Sequence, residues 1–113
     1  MHVTIDGRGT INENWSIRGA HAFCIRSIGL AEMTLISGPN VMALRGRIYA
    51  HAILAESHVS VQLDKRTSEV FVDMFSCKDF DIDGFELLAQ THFNLEELAV
   101  RNIDRGLPQE AAP

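Results

Sequence analysis

The sequence has few cysteines and no long uninterrupted hydrophobic run. Its 113 residues include two cysteines, Cys24 and Cys77, which lie far apart and form neither a disulfide framework nor a paired-cysteine metal motif. No apolar run approaches the roughly 20 residues that span a bilayer, and the amino terminus lacks the charged-then-apolar pattern of a signal peptide. We therefore expect a cytoplasmic protein with no membrane partner and two free thiols.

Positive charge is also scarce. Ten Lys and Arg residues against fifteen Asp and Glu residues give a formal net charge of −5. Because no basic cluster is present to neutralise phosphates, we expect no nucleic-acid partner. The possible ligand residues show no metal-binding spacing, and the aspartates of 79–83 favour capping of a helix over a calcium loop. We therefore expect no metal.

Hydrophobic residues make up 46% of the chain and include six Phe. This content supports one small core, so we predict a single domain over residues 1–113. A chain of this size often completes its burial by dimerising, and a homodimer is expected. The polar, proline-containing tail at 107–113 is predicted to be disordered.

The pattern of apolar residues predicts an α+β fold. Helical spacing indicates one helix within 15–32, capped by Asn12 or Asn14, and a second after the aspartates of 79–83 that ends near Asn94. Alternating or short apolar runs indicate strands at 3–5, 33–36, 41–44, 47–55, 58–64, 69–77 and 98–103, with a turn at 37–40. This order predicts a mostly antiparallel sheet with two helices packed on one face.

The stretch from Leu54 to Gln62 places Ser57 at the junction of two strand-like runs. From His58 onward, apolar and polar residues alternate with a period of two. By this pattern alone the stretch is an ordinary half-buried strand. Similarly, Cys77 is predicted at the end of the following strand, beside Asp73 and Phe75 on one face.

Two linked motifs nevertheless point to a known family. The segments Ala55-Glu56-Ser57-His58-Val59-Ser60-Val61 and Val72-Asp73-Met74-Phe75-Ser76-Cys77-Lys78 keep the spacing found in the S-adenosylmethionine decarboxylase family. That family comprises small prokaryotic pyruvoyl-dependent enzymes of polyamine biosynthesis, the route to spermidine. A looser likeness covers nearly the whole chain, so the sequence resembles this family throughout.

The resemblance implies a proenzyme that cleaves itself between Glu56 and Ser57. The products would be a β chain, residues 1–56, and an α chain, residues 57–113, which carries a pyruvoyl group made from Ser57. That group forms a Schiff base with the substrate's amine and takes up the electrons left when CO2 departs, so pyridoxal phosphate is not needed. The family fold, two helices against an antiparallel sheet in a dimer, agrees with the predicted elements.

The resemblance also assigns roles to individual residues. Cys77 matches the general acid that reprotonates the substrate carbon; without the motif it would be a buried strand-end thiol. His58 matches the first histidine of the motif and is equally well interpreted as a hydrogen-bonded polar-face residue. Gln62 replaces the histidine associated with self-processing, and glutamine cannot take up a proton near neutral pH.

Three functions remain open at this point. The first is decarboxylation of S-adenosylmethionine, although Leu63-Asp64-Lys65-Arg66 replaces the family's run with a ribose-binding acid. The second keeps the chemistry but uses ornithine or arginine as the substrate. The third is an uncleaved, non-catalytic regulatory homologue, suggested by Gln62. The sequence assigns no substrate-contacting residue.

Overall fold

The computed structural model describes residues 1–107 as six strands and two helices. The elements are β1 (His2–Gly9), α1 (Ile17–Leu30), β2 (Leu35–Leu44), β3 (Arg47–Leu54), β4 (Ser57–Asp64), β5 (Glu69–Ser76), α2 (Ile82–Phe93) and β6 (Leu95–Ile103). Apart from Leu107, the tail predicted to be disordered at 107–113 lies outside the described residues.

The six strands form one antiparallel sheet in the order β2-β3-β4-β5-β1-β6. Alternate side chains of each strand point to opposite faces. On β4, Val59, Val61 and Leu63 are buried, whereas His58 is exposed on the other face. Both helices cover the first of these faces, and we call the second the open face. The predicted α+β fold, with two helices on one face of an antiparallel sheet, is confirmed.

Aromatic residues join the two helices to each other. Phe23 of α1 lies 5.0 Å from Phe93 of α2 between ring centroids, and both rings are fully buried. Trp15 packs against Phe93, and its indole nitrogen donates a hydrogen bond to the Phe93 carbonyl at 2.9 Å. Burial raises the pKa of the Cys24 thiol to about 11, so Cys24 is a protonated core residue, as the sequence indicates.

The structure corrects the prediction for residues 33–44. The predicted turn at 37–40 is wrong, because β2 is one strand that keeps pairing with β3 through two register shifts. Pro39 lacks an amide hydrogen, yet β2 is an edge strand, where a missing donor does not disrupt the sheet.

The capping predictions had different outcomes. Asp81 caps α2 by accepting a hydrogen bond from the Gly84 amide at 3.0 Å, as the aspartate cluster indicates. The cap of α1 is Ser16 and not Asn12 or Asn14. Those two asparagines instead donate hydrogen bonds to the carbonyl of His92, because the loop before α1 packs against the end of α2.

His92 links the helices through both ring nitrogens. Its Nε2 lies 2.7 Å from the Gly19 carbonyl, which accepts a hydrogen bond, so Nδ1 is left to accept one from Arg26 at 3.0 Å. Burial lowers the pKa of His92, the positive charge of Arg26 lowers it further, and the bond to Gly19 opposes the shift. The folded protein therefore favours the neutral imidazole.

We predict that the free energy of unfolding decreases as the pH falls below about 6.5, the ordinary pKa of histidine. The unfolded chain takes up a proton at His92 in a pH range where the folded chain does not, so acid favours unfolding. Urea denaturation at about pH 7.5 and about pH 5 measures this loss. His92→Gln should reduce it, whereas His21→Gln, at an exposed position of α1, should retain it. An equal loss in both variants would contradict the assignment to His92.

Candidate active site

Ala55 and Glu56 form the two-residue turn between β3 and β4, since Leu54 pairs directly with Ser57. The turn is tied to the loop after α1 by a hydrogen bond from the Ala55 amide to the Thr34 carbonyl, 2.9 Å long. Glu56 has a φ of +62°, in the left-handed region that a residue with a Cβ atom enters at an energetic cost. The peptide bond between Glu56 and Ser57 therefore follows a strained residue.

Cys77 contacts this peptide bond directly. Ser57 pairs with Ser76 across β4 and β5, so Glu56 and Cys77 stand one step beyond the last pair of the ladder. The Cys77 thiol donates a hydrogen bond to the Glu56 carbonyl oxygen, with Sγ 3.0 Å away. Attack by the Ser57 hydroxyl on the preceding carbonyl would place negative charge on this oxygen.

The segment after β5 is held by Ser76, whose side chain is completely buried. Its hydroxyl donates a hydrogen bond to the Lys78 carbonyl at 2.7 Å and accepts one from the Lys78 amide at 3.1 Å. The Lys78 ammonium then reaches across to donate to the Glu32 carbonyl at 2.9 Å. Cys77 is therefore fixed between two anchored residues, although it is itself exposed.

A cavity of about 240 Å³ opens beside the contact between Cys77 and Glu56. Three segments line it: residues 32–34 after α1, residues 55–57 of the turn, and residues 77–78 after β5. Glu32, Thr34 and Lys78 carry polar groups here, and sequence reasoning did not identify them as site residues. Lys78 had a signal, since it follows Cys77 directly, whereas only the folded chain brings Glu32 and Thr34 to this cavity.

The other residues that the resemblance assigns to processing, His58 and Gln62, do not line this cavity. His58 points to the open face and stacks on Phe75, with ring centroids 5.6 Å apart and planes 18° apart. Gln62 is five residues along β4 from Ser57, about 16 Å at the usual rise of a strand, and also faces the open side. It lines a second cavity, of about 220 Å³, together with Tyr49 and Phe71.

Two aspartates, Asp73 of the second motif and Asp64, are already engaged by other side chains. Asp73 lies 2.9 Å from Nε2 of His2. Asp64 is at the far end of β4 and pairs with Arg66 at 3.2 Å and with Arg47 at 3.4 Å. The hydrogen bond from Arg66, aided by that from Arg47, lowers the pKa of Asp64 to about 2. Asp64 therefore remains a carboxylate that stabilises the turn between β4 and β5.

Neither a metal cluster nor a membrane-spanning helix is found in the described chain. Among residues 1–107, no three His, Cys, Asp or Glu side chains group closely enough to hold a metal ion. Within the same range, α1 and α2 are both too short to cross a membrane.

The fold and the site together define a two-layer α+β protein with a serine and a cysteine at the adjoining ends of neighbouring strands. The family model described as S-adenosylmethionine decarboxylase matches residues 1–106, and the chain belongs to this family. Its fold is similar to the crystal structure of the adenosylmethionine decarboxylase from Aquifex aeolicus VF5, with a TM-score of 0.78 over 99% of this chain and 94% of that chain. The two sequences are 17% identical, so this likeness concerns the fold. No curated protein sequence matches the chain.

The strain at Glu56 can be tested by glycine substitution in a Ser57→Ala background, which removes the hydroxyl next to the Glu56 carbonyl. Both Glu56→Gly and Ala55→Gly add freedom to the unfolded chain, but only Glu56 has a positive φ. We therefore expect Glu56→Gly to be more stable than Ala55→Gly by about 1 kcal/mol in urea denaturation. Equal stabilities would show that Glu56 is not strained.

Proposed function

We propose that this chain is a self-processing, pyruvoyl-dependent decarboxylase of S-adenosylmethionine that acts in polyamine biosynthesis. Membership of the family supplies the reaction class. The observation that carries the proposal is the hydrogen bond from the Cys77 thiol to the Glu56 carbonyl, at the peptide bond where the family motif places self-cleavage. A purely structural role for Cys77 would not require a hydrogen bond to this particular carbonyl.

The chain's own residues can perform the cleavage. The Ser57 hydroxyl attacks the Glu56 carbonyl carbon, and the Cys77 thiol donates a hydrogen bond to the oxygen that becomes negative. The C–N bond then breaks to leave an ester and a free amine on residue 57. Loss of the Cα proton expels the Glu56 carboxylate, and hydrolysis releases ammonia and leaves a pyruvoyl group. The left-handed conformation of Glu56 favours the first step, because cleavage relieves its strain.

Position 57 fits such a group. Ser57 is half-buried at the wall of the 240 Å³ cavity, so a carbonyl there would face space for a substrate. A pyruvoyl group supplies an electron-withdrawing carbonyl that takes up the electron pair left when CO2 departs. Cys77 lines the same cavity, which supports it as the donor of the proton that the substrate carbon then requires.

Gln62 influences self-processing only at the cleavage site of a second copy of the chain. Within one chain it lies about 16 Å along β4 from Ser57, so it contacts a cleavage site only if another copy brings it there. The open face of the sheet, which carries Gln62, also exposes Met42, Leu44 and Ile53 at 66%, 60% and 49%. Burial of these side chains favours a homodimer that packs open face against open face.

Self-cleavage is expected to yield two chains, residues 1–56 and 57–113, the second with a pyruvoyl terminus. Intact mass measured under denaturing conditions identifies both, and Ser57→Ala should remain a single chain because it lacks the attacking hydroxyl. The cleaved protein should release CO2 from S-adenosylmethionine, and Cys77→Ala should lose most of this activity, by about 100-fold or more.

A single full-length chain after long incubation would count against the enzyme and for the uncleaved homologue. Gln62→His then restores a proton-accepting group at that position, and cleavage of this variant alone would locate the defect at Gln62. Efficient cleavage with inertness toward S-adenosylmethionine, but release of CO2 from ornithine or arginine, would transfer the proposal to a basic amino acid.

We predict that Ile53→Lys converts the dimer to a monomer, because it places a charge in the apolar part of the open face. Light scattering gives the mass of the native particle. Leu87→Lys is the matched control, since Leu87 is 62% exposed but lies on α2, on the other side of the sheet. A monomeric parent, or an equal effect of both substitutions, would rule out the open face as the dimer interface.

A further inference from the structure

We infer that Lys78 is a substrate-binding residue whose ammonium holds the carboxylate of the amino-acid substrate. The inference rests on the proposed function for the class of ligand and on the geometry of the cavity for the residue. Lys78 closes the second matched segment, but the resemblance assigns this residue no role.

The Lys78 ammonium has capacity for an anion. It donates one hydrogen bond, to the Glu32 carbonyl at 2.9 Å, while an ammonium offers three donors. None of the ion pairs formed among residues 1–107 includes Lys78. Lys78 is exposed and lines the cavity, so its ammonium is available to an anionic ligand there.

The backbone of Lys78 is fixed at the place where the chemistry is proposed. Two hydrogen bonds clamp it to the buried hydroxyl of Ser76. The preceding residue, Cys77, reaches the Glu56 carbonyl at 3.0 Å. A carboxylate bound by Lys78 would lie at the cavity that Ser57 and Cys77 also line.

The charges around the cavity complement the proposed substrate. Of the described residues that line it, Lys78 alone is a cation, whereas Glu32 and Glu56 are acidic. S-adenosylmethionine carries one carboxylate, one amine and one sulfonium, and ornithine and arginine likewise carry one carboxylate and a distal cation. The single cation of the cavity thus matches the single anion that all of these substrates share.

The contact between Lys78 and the substrate carboxylate should affect KM and kcat differently, because the carboxylate is lost during the reaction. The carboxylate is present before the reaction and leaves as CO2, so Lys78 stabilises the bound substrate and gains nothing as the C–C bond breaks. Loss of such a contact raises KM and leaves kcat nearly unchanged. A loss of the proton donor would instead lower kcat.

Binding to an uncleaved protein tests Lys78 independently of processing. In a Ser57→Ala background, calorimetry compares S-adenosylmethionine with its decarboxylated counterpart, which differs by the carboxylate alone. Lys78→Gln keeps a donor for the Glu32 carbonyl but removes the charge. We expect it to weaken binding of S-adenosylmethionine about tenfold and to leave binding of the decarboxylated compound unchanged.

Three further variants complete the comparison. Lys78→Met, which lacks both charge and donor, should show the same selective loss and serves if Lys78→Gln fails to fold. Lys78→Arg should retain most of the affinity because it keeps the charge. Lys65→Gln changes the one other lysine of the sequence, in the turn between β4 and β5, and should bind both compounds as the parent does.

Equal weakening of both compounds by Lys78→Gln would overturn the inference, since Lys78 would then shape the cavity and not bind the carboxylate. Unchanged affinities, or no binding of either compound to the Ser57→Ala protein, would overturn it too. Failure of the proposed function has a separate readout, because an uncleaved parent is detected by mass. A selective loss in the binding test supports Lys78 even in that case.

Discussion

The pairing register of β4 with β5 is the constraint on which the site depends. Because Ser57 pairs with Ser76, the next residues outward, Glu56 and Cys77, meet at the end of the two strands. A slip by one residue would turn every side chain of β4 to the other face, exposing Val59 and Val61 and burying polar residues. The energy of the hydrophobic core therefore fixes the contact between the Cys77 thiol and the Glu56 carbonyl.

The layer of helices supplies the rest of the cavity. The loop after α1 reaches the end of the sheet, where the Thr34 carbonyl accepts the Ala55 amide and the Glu32 carbonyl accepts the Lys78 ammonium. These two bonds tie the turn between β3 and β4 and the segment after β5 to the same loop. The loop after α1, a helix that packs through Phe23 against Phe93, thus forms one wall of the cavity beside Ser57.

Much of this arrangement follows from the sequence. Period-two alternation on both strands, with a short charged loop between Asp64 and Glu69, is enough to bring Glu56 opposite Cys77. The α+β fold follows from the order of helical and alternating segments. The turn at 37–40 was predicted wrongly, because Gly38 and Pro39 are typical of turns and only the edge position of β2 allows a strand to continue through them. The contributions of Glu32 and Thr34 depend on where α1 ends, which local patterns do not determine.

Gln62 and Ser57 are close in the sequence but lie apart in the folded chain. One end of β4 carries the peptide bond between Glu56 and Ser57, with Cys77 and Lys78 beside it, whereas Gln62 lies about 16 Å along the strand and on the open face. A group so placed contributes to the chemistry at Ser57 only through a neighbouring chain. The proposed roles of Ser57, Cys77 and Lys78 need only one chain, whereas a role for position 62 in processing would need an assembly of chains. Glutamine at position 62 therefore leaves the contact between Cys77 and Glu56 within one chain intact.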